Sequence, residues 1–157
     1  MTESSGYENY REELRSRYLS SADSGNGEVG TEGVDHLALI SSDLGATIEF
    51  YTSVLQMRLT KIVANRDEPT STHIFLDMGG ENLLAFFDFP KRGGESTVRG
   101  IGSMHHVALK ATSVRFKALI VRLKNKGIAY SLHGTEERGS VYLQDPDNIQ
   151  VEVTTGY

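Results

Sequence analysis

Two histidines and one glutamate of this chain have the types and the spacing to hold a metal ion. His36 lies in the segment Val-Asp-His-Leu-Ala-Leu, and His106 lies 70 residues later in the similar segment Met-His-His-Val-Ala-Leu. Glu152 follows near the end of the chain, where polar and apolar residues alternate. Two imidazole nitrogens and one carboxylate, with other coordination positions open, are the ligand set of non-heme iron(II) oxygenases. We therefore predict one divalent metal ion, Fe(II) first, with Mn(II), Zn(II) and Ni(II) as alternatives.

The elements that must position these residues occur in two successive copies. The period of the apolar residues predicts strands over 34–41, 58–64, 72–78 and 82–89 with a helix over 44–55, and then strands over 104–111, 129–135, 140–145 and 149–155 with a helix from 114 to Gly127. Asp43 is a suitable N-cap for the first helix, and Gly127 is placed to end the second. The order strand–helix–strand–strand–strand therefore repeats. It predicts an α+β fold of two tandem βαβββ modules, about 33–90 and 102–155, that form a metal-binding cup of mixed β-sheet with the helices outside.

Strand alternation predicts which side chains face the cup. His36, His106 and Glu152 fall on the face opposite the helices. A second internal match aligns residues 82–87 with 148–153 at an offset of 66, which places Phe86 symmetrically to Glu152. The residues predicted to form an apolar wall of the cup, suited to an aromatic or hydrophobic substrate, are Ile74, Leu76, Leu84 and Phe86.

Two further histidines are expected to lie outside the cup. His105 precedes His106, so alternation directs its side chain to the other face of the strand. His73 is interpreted in the same way, as a packing or surface residue.

These segments resemble the vicinal oxygen chelate superfamily, which includes glyoxalase I, extradiol ring-cleaving dioxygenases and fosfomycin-resistance enzymes. The residues that carry the resemblance are Asp35 to Leu39, Glu49 to Leu55, Met104 to Leu109 and Val141 to Asn148, followed by Glu152. The resemblance covers roughly residues 33–155 and implies two βαβββ modules that hold a metal ion. It maps the family's metal ligands onto His36, His106 and Glu152.

The three-ligand pattern is most similar to the extradiol dioxygenase branch. In that branch, a tyrosine on the strand before the glutamate strand and a histidine further upstream assist the substrate and oxygen. The resemblance therefore implies catalytic roles for Tyr142 and His133. Two features depart from the branch: another histidine used by many ring-cleaving enzymes has no counterpart here, and those enzymes usually carry an extra pair of modules.

Three functions compete at this point. The first is a non-heme Fe(II) dioxygenase of extradiol type that acts on a small aromatic or vicinal-oxygen substrate with O₂. The second is a glyoxalase-like lyase or isomerase, or a fosfomycin-resistance-type metalloenzyme. Phe86 stands where a glyoxalase-like site would want another carboxylate, and no cationic cluster is evident on the predicted cup-facing positions. The third is a non-enzymatic drug-binding protein, although such relatives typically lack the metal ligands.

The composition of the chain limits the classes of ligand and partner that it is expected to bind. The chain has 157 residues, a net charge of −5 and no cysteine, which excludes disulfides and thiolate ligands. It has no basic stripe interleaved with aromatic residues and no apolar run of about 20 residues, so neither nucleic acid nor a membrane is expected. Residues 1–32 are predicted to be an extension, with a short charged helix over 7–19 and a linker over 20–33. We expect a cytoplasmic protein that binds a small molecule, with a homodimer common for this scaffold.

Overall fold

The computed structural model describes residues 3–19 and 30–156, and the chain divides into two compact units between Gly33 and Val34. The first unit contains helix α1 (Glu3–Leu14), which continues as a π-helical turn (Arg15–Leu19). This confirms the predicted charged helix. Most of the predicted linker lies outside the described residues. Within the parts of the chain that the structure describes, no helix has the length and apolar character needed to cross a membrane.

The second unit contains the two predicted modules. The first module consists of β1 (His36–Ile40), α2 (Leu44–Ser53), β2 (Arg58–Ala64), β3 (Thr72–Gly79) and β4 (Asn82–Phe87). The second consists of β5 (Val107–Lys110), α3 (Ser113–Lys126), β6 (Ser131–Gly134), β7 (Gly139–Gln144) and β8 (Gln150–Thr154). The strand orders are β1-β4-β3-β2 and β5-β8-β7-β6, and in each sheet only the first pair is parallel. The α+β prediction of two βαβββ modules is confirmed.

Both helices begin and end at residues suited to those positions. Asp43 is the N-cap of α2, and its Oδ1 accepts a hydrogen bond from the Ala46 N–H at 3.0 Å. Thr112 caps α3 by accepting from the Arg115 N–H at 3.3 Å. Gly127 ends α3 with a φ of 65°, a left-handed conformation that glycine adopts at little cost.

One hydrophobic core serves both modules. The helix-covered faces of the two sheets contribute buried side chains to the same cluster, with Tyr51, Val54, Ile74, Leu76, Leu84 and Phe86 from the first module and Phe116, Leu119, Ile120, Leu123, Val141, Leu143, Val151 and Val153 from the second. Each sheet therefore turns its helix-covered face toward the shared core. Its other face, the open face, lies on the side away from that core.

Polar contacts join the modules beside this core. The Tyr51 hydroxyl donates to Asp145 Oδ2 at 3.1 Å, and the Ser42 N–H donates to Asp147 Oδ2 at 3.0 Å. Both carboxylates belong to one turn over residues 145–148, which closes with the Asn148 N–H donating to the Asp145 carbonyl at 3.0 Å. Burial raises the pKa of Asp145, although hydrogen bonds from neighbouring N–H groups and from Tyr51 oppose that shift. The turn thus links the first module to the second.

Candidate metal centre

His106 and Glu152 form the best-defined part of the candidate centre. Glu152 lies on β8 between Val151 and Val153, whose side chains enter the shared core. The Glu152 side chain is fully buried, and its Oε2 lies 2.9 Å from His106 Nε2. A carboxylate removed from water is costly unless a cation or a strong hydrogen-bond donor compensates it. The pair therefore presents one nitrogen and one carboxylate on the open face of the second sheet.

Tyr142 and His133 stand on the same open face. Tyr142 on β7 is paired in register with Glu152, and its ring centroid lies 5.9 Å from that of His106. The His133 ring meets the Tyr142 ring edge to face at 5.4 Å between centroids. The structure thus groups the four site residues predicted from the second module around one point.

His36 is not part of this group within a single chain. It begins β1 on the open face of the first sheet, where 44% of its side chain is exposed. Across residues 3–19 and 30–156, no three His, Asp or Glu side chains converge in a way that could hold a metal ion. His36 therefore lies apart from His106 and Glu152, on the open face of a different sheet.

The predicted symmetry between Phe86 and Glu152 is wrong by one residue. Ala38 pairs with Ala85 in the first sheet, and Ala108 pairs with Glu152 in the second. Ala38 and Ala108 each lie two residues after a candidate histidine, so Ala85 is the true counterpart of Glu152. A shift of one residue moves every side chain of a strand to the other face of the sheet.

The predicted apolar wall therefore belongs to the core instead of the cup. Phe86 is fully buried, and its ring lies 5.1 Å from that of Tyr51. Leu84 is also fully buried, and β3 contributes the neighbouring core residues that pair with these two, Ile74 opposite Phe86 and Leu76 opposite Leu84. These four side chains support the sheet from behind and do not line its open face.

Aromatic rings occupy the open face of the first sheet instead. The His73 ring stacks on Phe87 at 3.6 Å between centroids and lies 4.1 Å from Phe75, whose ring is 6.0 Å from that of His36. The expectation that His73 lies outside the candidate face is thus wrong. Alternation on β3 could have identified it, because His73 and Phe75 lie on either side of the core residue Ile74. Burial first, and then the charges of His36 and Lys61, lower the pKa of His73.

His105 also differs from its prediction. Its Nδ1 lies 2.6 Å from His106 Nδ1, so it contacts the candidate ligand. β5 begins only at Val107, and the alternation of a strand does not apply to the two residues before it. The sequence offered no signal for this contact.

Comparison with known proteins identifies the family. The model of the Glyoxalase/Bleomycin resistance protein/Dioxygenase superfamily matches residues 33–153. The chain belongs to this superfamily. Among solved structures, a glyoxalase/bleomycin resistance protein/dioxygenase domain from Frankia sp. EAN1pec is 18% identical with a TM-score of 0.69, over 82% of this chain and 100% of that one.

Two further proteins that are similar to this superfamily member carry more specific names. The "Putative ring-cleaving dioxygenase MhqE" of Bacillus subtilis is 31% identical over 63% of this chain and 33% of that protein. The fosfomycin resistance protein FosX of Listeria monocytogenes, solved with Mn(II) and 1S,2S-dihydroxypropylphosphonic acid, is 20% identical with a TM-score of 0.62, over 81% of this chain and 94% of that one. The chain spans 24%, 33% and 40% of the three curated relatives that it matches.

His106 and Glu152 offer donor atoms of the types that bind a divalent metal such as the Mn(II) in the FosX structure. His106 supplies a ring nitrogen, and Glu152 supplies a buried carboxylate that faces it at 2.9 Å. Nitrogen and oxygen donors of this kind suit Mn(II), Fe(II) and Zn(II). The pair fits two positions of such a site, and a third protein ligand has to come from outside this pair.

Proposed function

We propose that this chain is a metal-dependent enzyme whose divalent ion is held by His36, His106 and Glu152. The observation that carries the proposal is the fully buried Glu152 carboxylate, 2.9 Å from His106 Nε2 on an open sheet face. An acidic side chain in the middle of a buried strand weakens folding unless it serves as a ligand or a partner. Membership in a superfamily that includes Mn(II)-binding FosX supports the same role.

We further propose that the site is completed by a second copy of the chain. One chain keeps His36 apart from the other two ligands, on the open face of a different sheet. The open face of the first sheet is free to meet the open face of a partner's second sheet. In a symmetric homodimer this exchange occurs twice, so the dimer would contain two equivalent metal sites.

The open face of the first sheet carries aromatic rings that would suit an aromatic substrate. Phe75, His73 and Phe87 present a continuous set of rings beside His36. Rings of this kind bind a flat aromatic molecule by stacking or by edge-to-face contact. In the proposed dimer, this aromatic surface would form one wall of the substrate site, while Tyr142 and His133 would lie on the other.

The reaction that we propose is ring cleavage by an Fe(II) dioxygenase of extradiol type. When bound, the metal acts as a Lewis acid that lowers the pKa of a substrate hydroxyl. Tyr142 would donate a hydrogen bond to a substrate oxygen, and His133 would accept and return a proton at its ring. The names of the Bacillus subtilis relatives support this reaction class.

A second candidate is a fosfomycin-resistance-type metalloenzyme that needs no oxygen. The observation that favours it is Lys61, whose Nζ lies 5.4 Å from the centre of the Phe75 ring. The ammonium group would place a positive charge beside the proposed substrate wall, where an anionic substrate could pair with it. A glyoxalase-type site is less favoured, because Ala85 stands at the symmetric position that would hold a second carboxylate.

Oxygen consumption separates these candidates. The protein would be loaded anaerobically with Fe(II), Mn(II), Zn(II) or Ni(II) and supplied with simple catechols, and oxygen uptake would be followed with an electrode. We expect uptake with Fe(II) that is lost in Tyr142→Phe and retained in Tyr130→Phe. Metal binding without uptake on any catechol, together with metal-dependent opening of fosfomycin, would favour the second candidate. A protein that binds fosfomycin-like drugs but no metal would contradict both.

A further inference from the structure

The residue immediately before each candidate histidine contacts that histidine at the same ring atom. Asp35 Oδ1 lies 2.6 Å from His36 Nδ1, and His105 Nδ1 lies 2.6 Å from His106 Nδ1. The contact thus recurs at equivalent places in the two modules, although one partner is a carboxylate and the other an imidazole. This repetition is independent of the match between the histidines themselves.

The chemical consequence concerns which ring nitrogen is left for a metal. A neutral imidazole carries one N–H, and the hydrogen bond made by one nitrogen fixes the tautomer. For His36, donation from Nδ1 to the Asp35 carboxylate leaves the lone pair on Nε2. In the second module, Nε2 of His106 is the atom that faces Glu152 at 2.9 Å. The ring is therefore oriented with its outer nitrogen toward the proposed metal position.

We propose that Asp35 and His105 are positioning residues that hold the rings of His36 and His106 through Nδ1, so that Nε2 is turned toward the metal position. The inference deepens the proposed function and depends on it. Metal-ligating histidines generally donate their second ring N–H to a neighbouring acceptor, and removing that acceptor typically weakens metal binding 10–100-fold. Neither residue would touch the metal or the substrate.

The solvent exposure of the Asp35 and His105 side chains distinguishes a positioning role from a role in folding. The Asp35 side chain is 92% exposed, and His105 is also exposed. Exposed polar pairs contribute little to folding stability. Replacing either residue should therefore leave the unfolding transition almost unchanged while it weakens metal binding. A residue that acted only in folding would give the opposite result.

The two contacts should also differ in strength. The Asp35 carboxylate accepts the Nδ1 proton of His36 in a charge-assisted hydrogen bond, whereas the contact between His105 and His106 joins two imidazole rings. Asp35 would therefore fix its histidine more firmly than His105 does. Loss of the Asp35 carboxylate should cost more metal affinity than loss of the His105 ring.

The test measures Zn²⁺ affinity by competition with a chromophoric chelator, together with the histidine tautomers of the metal-free protein by ¹⁵N NMR. Asp35→Ala and His105→Ala should each weaken Zn²⁺ binding about 10–100-fold. Asp35→Asn and His105→Gln, which keep an acceptor oxygen, should recover most of it. Glu32→Ala and Met104→Ala are the neighbouring controls and should bind like the unaltered protein. The NMR spectra of the metal-free protein should show the Nδ1–H tautomer at His36, and this tautomer should become mixed in Asp35→Ala.

Unchanged affinity in both alanine variants, with an unchanged His36 tautomer in Asp35→Ala, would overturn the inference. Equal losses in the alanine and the acceptor-keeping variants would do the same, because the acceptor would then not matter. If the unaltered protein bound no Zn²⁺, the proposed function would fail, and the tautomers alone would decide whether these contacts orient the rings.

Discussion

Ala85 occupies in the first module the place that Glu152 occupies in the second. Each pairs, on the strand next to it, with an alanine two residues after a candidate histidine. Both side chains are fully buried, but only Glu152 carries a charge. The two modules are thus alike in backbone and unlike in chemistry, because only the second carries an acidic candidate ligand at this position.

This register places Phe86 and Phe87 on opposite faces of β4, which a matched pair of substitutions can check. Phe86→Leu should lower the free energy of unfolding by about 1–3 kcal/mol, because it shortens a fully buried side chain of the shared core. Phe87→Leu should cost much less stability but should raise the KM for an aromatic substrate, since Phe87 lies on the open face with His73. Urea unfolding and steady-state kinetics measure the two effects. Similar stability losses with no change in KM would contradict the assignment of faces.

The strands, helices and most core positions were predictable from the sequence, because the apolar period reports which face of an element is buried. Asp43 and Gly127 likewise fixed the helix ends, since capping is a local property. The register of β4 was not predictable in this way. Leu83 to Phe87 is apolar at every position, so alternation cannot choose between two alignments one residue apart.

How the two modules pack against each other was also not predictable from the sequence. His36 and His106 mark equivalent places, but equivalence does not say whether the two places meet in one chain. That depends on which faces share a core, and Tyr51 decides it by reaching both Phe86 and Asp145. Long-range packing of this kind leaves no periodic signal.

The hydrogen bond from Tyr51 to Asp145 should contribute measurably to stability. Tyr51→Phe keeps the ring but removes a buried hydroxyl that donates to a carboxylate, which should lower the free energy of unfolding by about 1–3 kcal/mol. Tyr130→Phe, in the half-buried approach to β6, is the control and should change it by less than about 0.5 kcal/mol. Chemical denaturation provides the measurement, and equal effects of the two substitutions would show that the contact does not join the modules energetically.

The raised pKa of Asp145 predicts a specific pH dependence. Burial makes the folded state hold this proton more tightly than the unfolded state, whose carboxyl titrates near 3.8. The stabilising contribution is therefore complete below pH 3.8 and is lost as the pH rises through the folded-state pKa. Asp145→Asn cannot ionise, and its amide can still accept from two N–H groups and donate to Tyr51. Relative to Asp145→Asn, the unaltered protein should thus lose stability as the pH rises from about 3.8.

Unfolding free energies of both proteins, measured by urea titration at a series of pH values, test this dependence. Because the other carboxylates are the same in the two proteins, their contributions to the free energy of unfolding cancel in the difference. A difference that stayed constant with pH, or that favoured the unaltered protein as the pH rose, would contradict the assignment.

Glu152→Gln should distinguish the contribution of Glu152 to metal binding from its contribution to folding stability. Without metal, the variant should unfold at a temperature close to that of the unaltered protein or above it, because a buried charge is removed. With metal at about 100 times its Kd, the unaltered protein should gain about 2.7 kcal/mol, or roughly 5–10 °C in Tm, and the variant should gain almost nothing. Glu137→Gln, at an exposed carboxylate paired with Lys117, should keep the full shift. An equal shift in all three proteins would exclude Glu152 as a ligand.

In the proposed dimer, His36 of one subunit joins His106 and Glu152 of the other, and a mixed dimer tests this arrangement most directly. His36→Ala and Glu152→Gln would be co-expressed with different tags, and the dimer that carries both tags would be isolated and its bound metal counted. Each variant alone should bind almost no metal. In the mixed dimer, one site combines both substitutions and the other has neither, so we predict one metal ion per dimer. A mixed dimer as empty as its parents would contradict the shared site, because each subunit would then carry its own damaged centre.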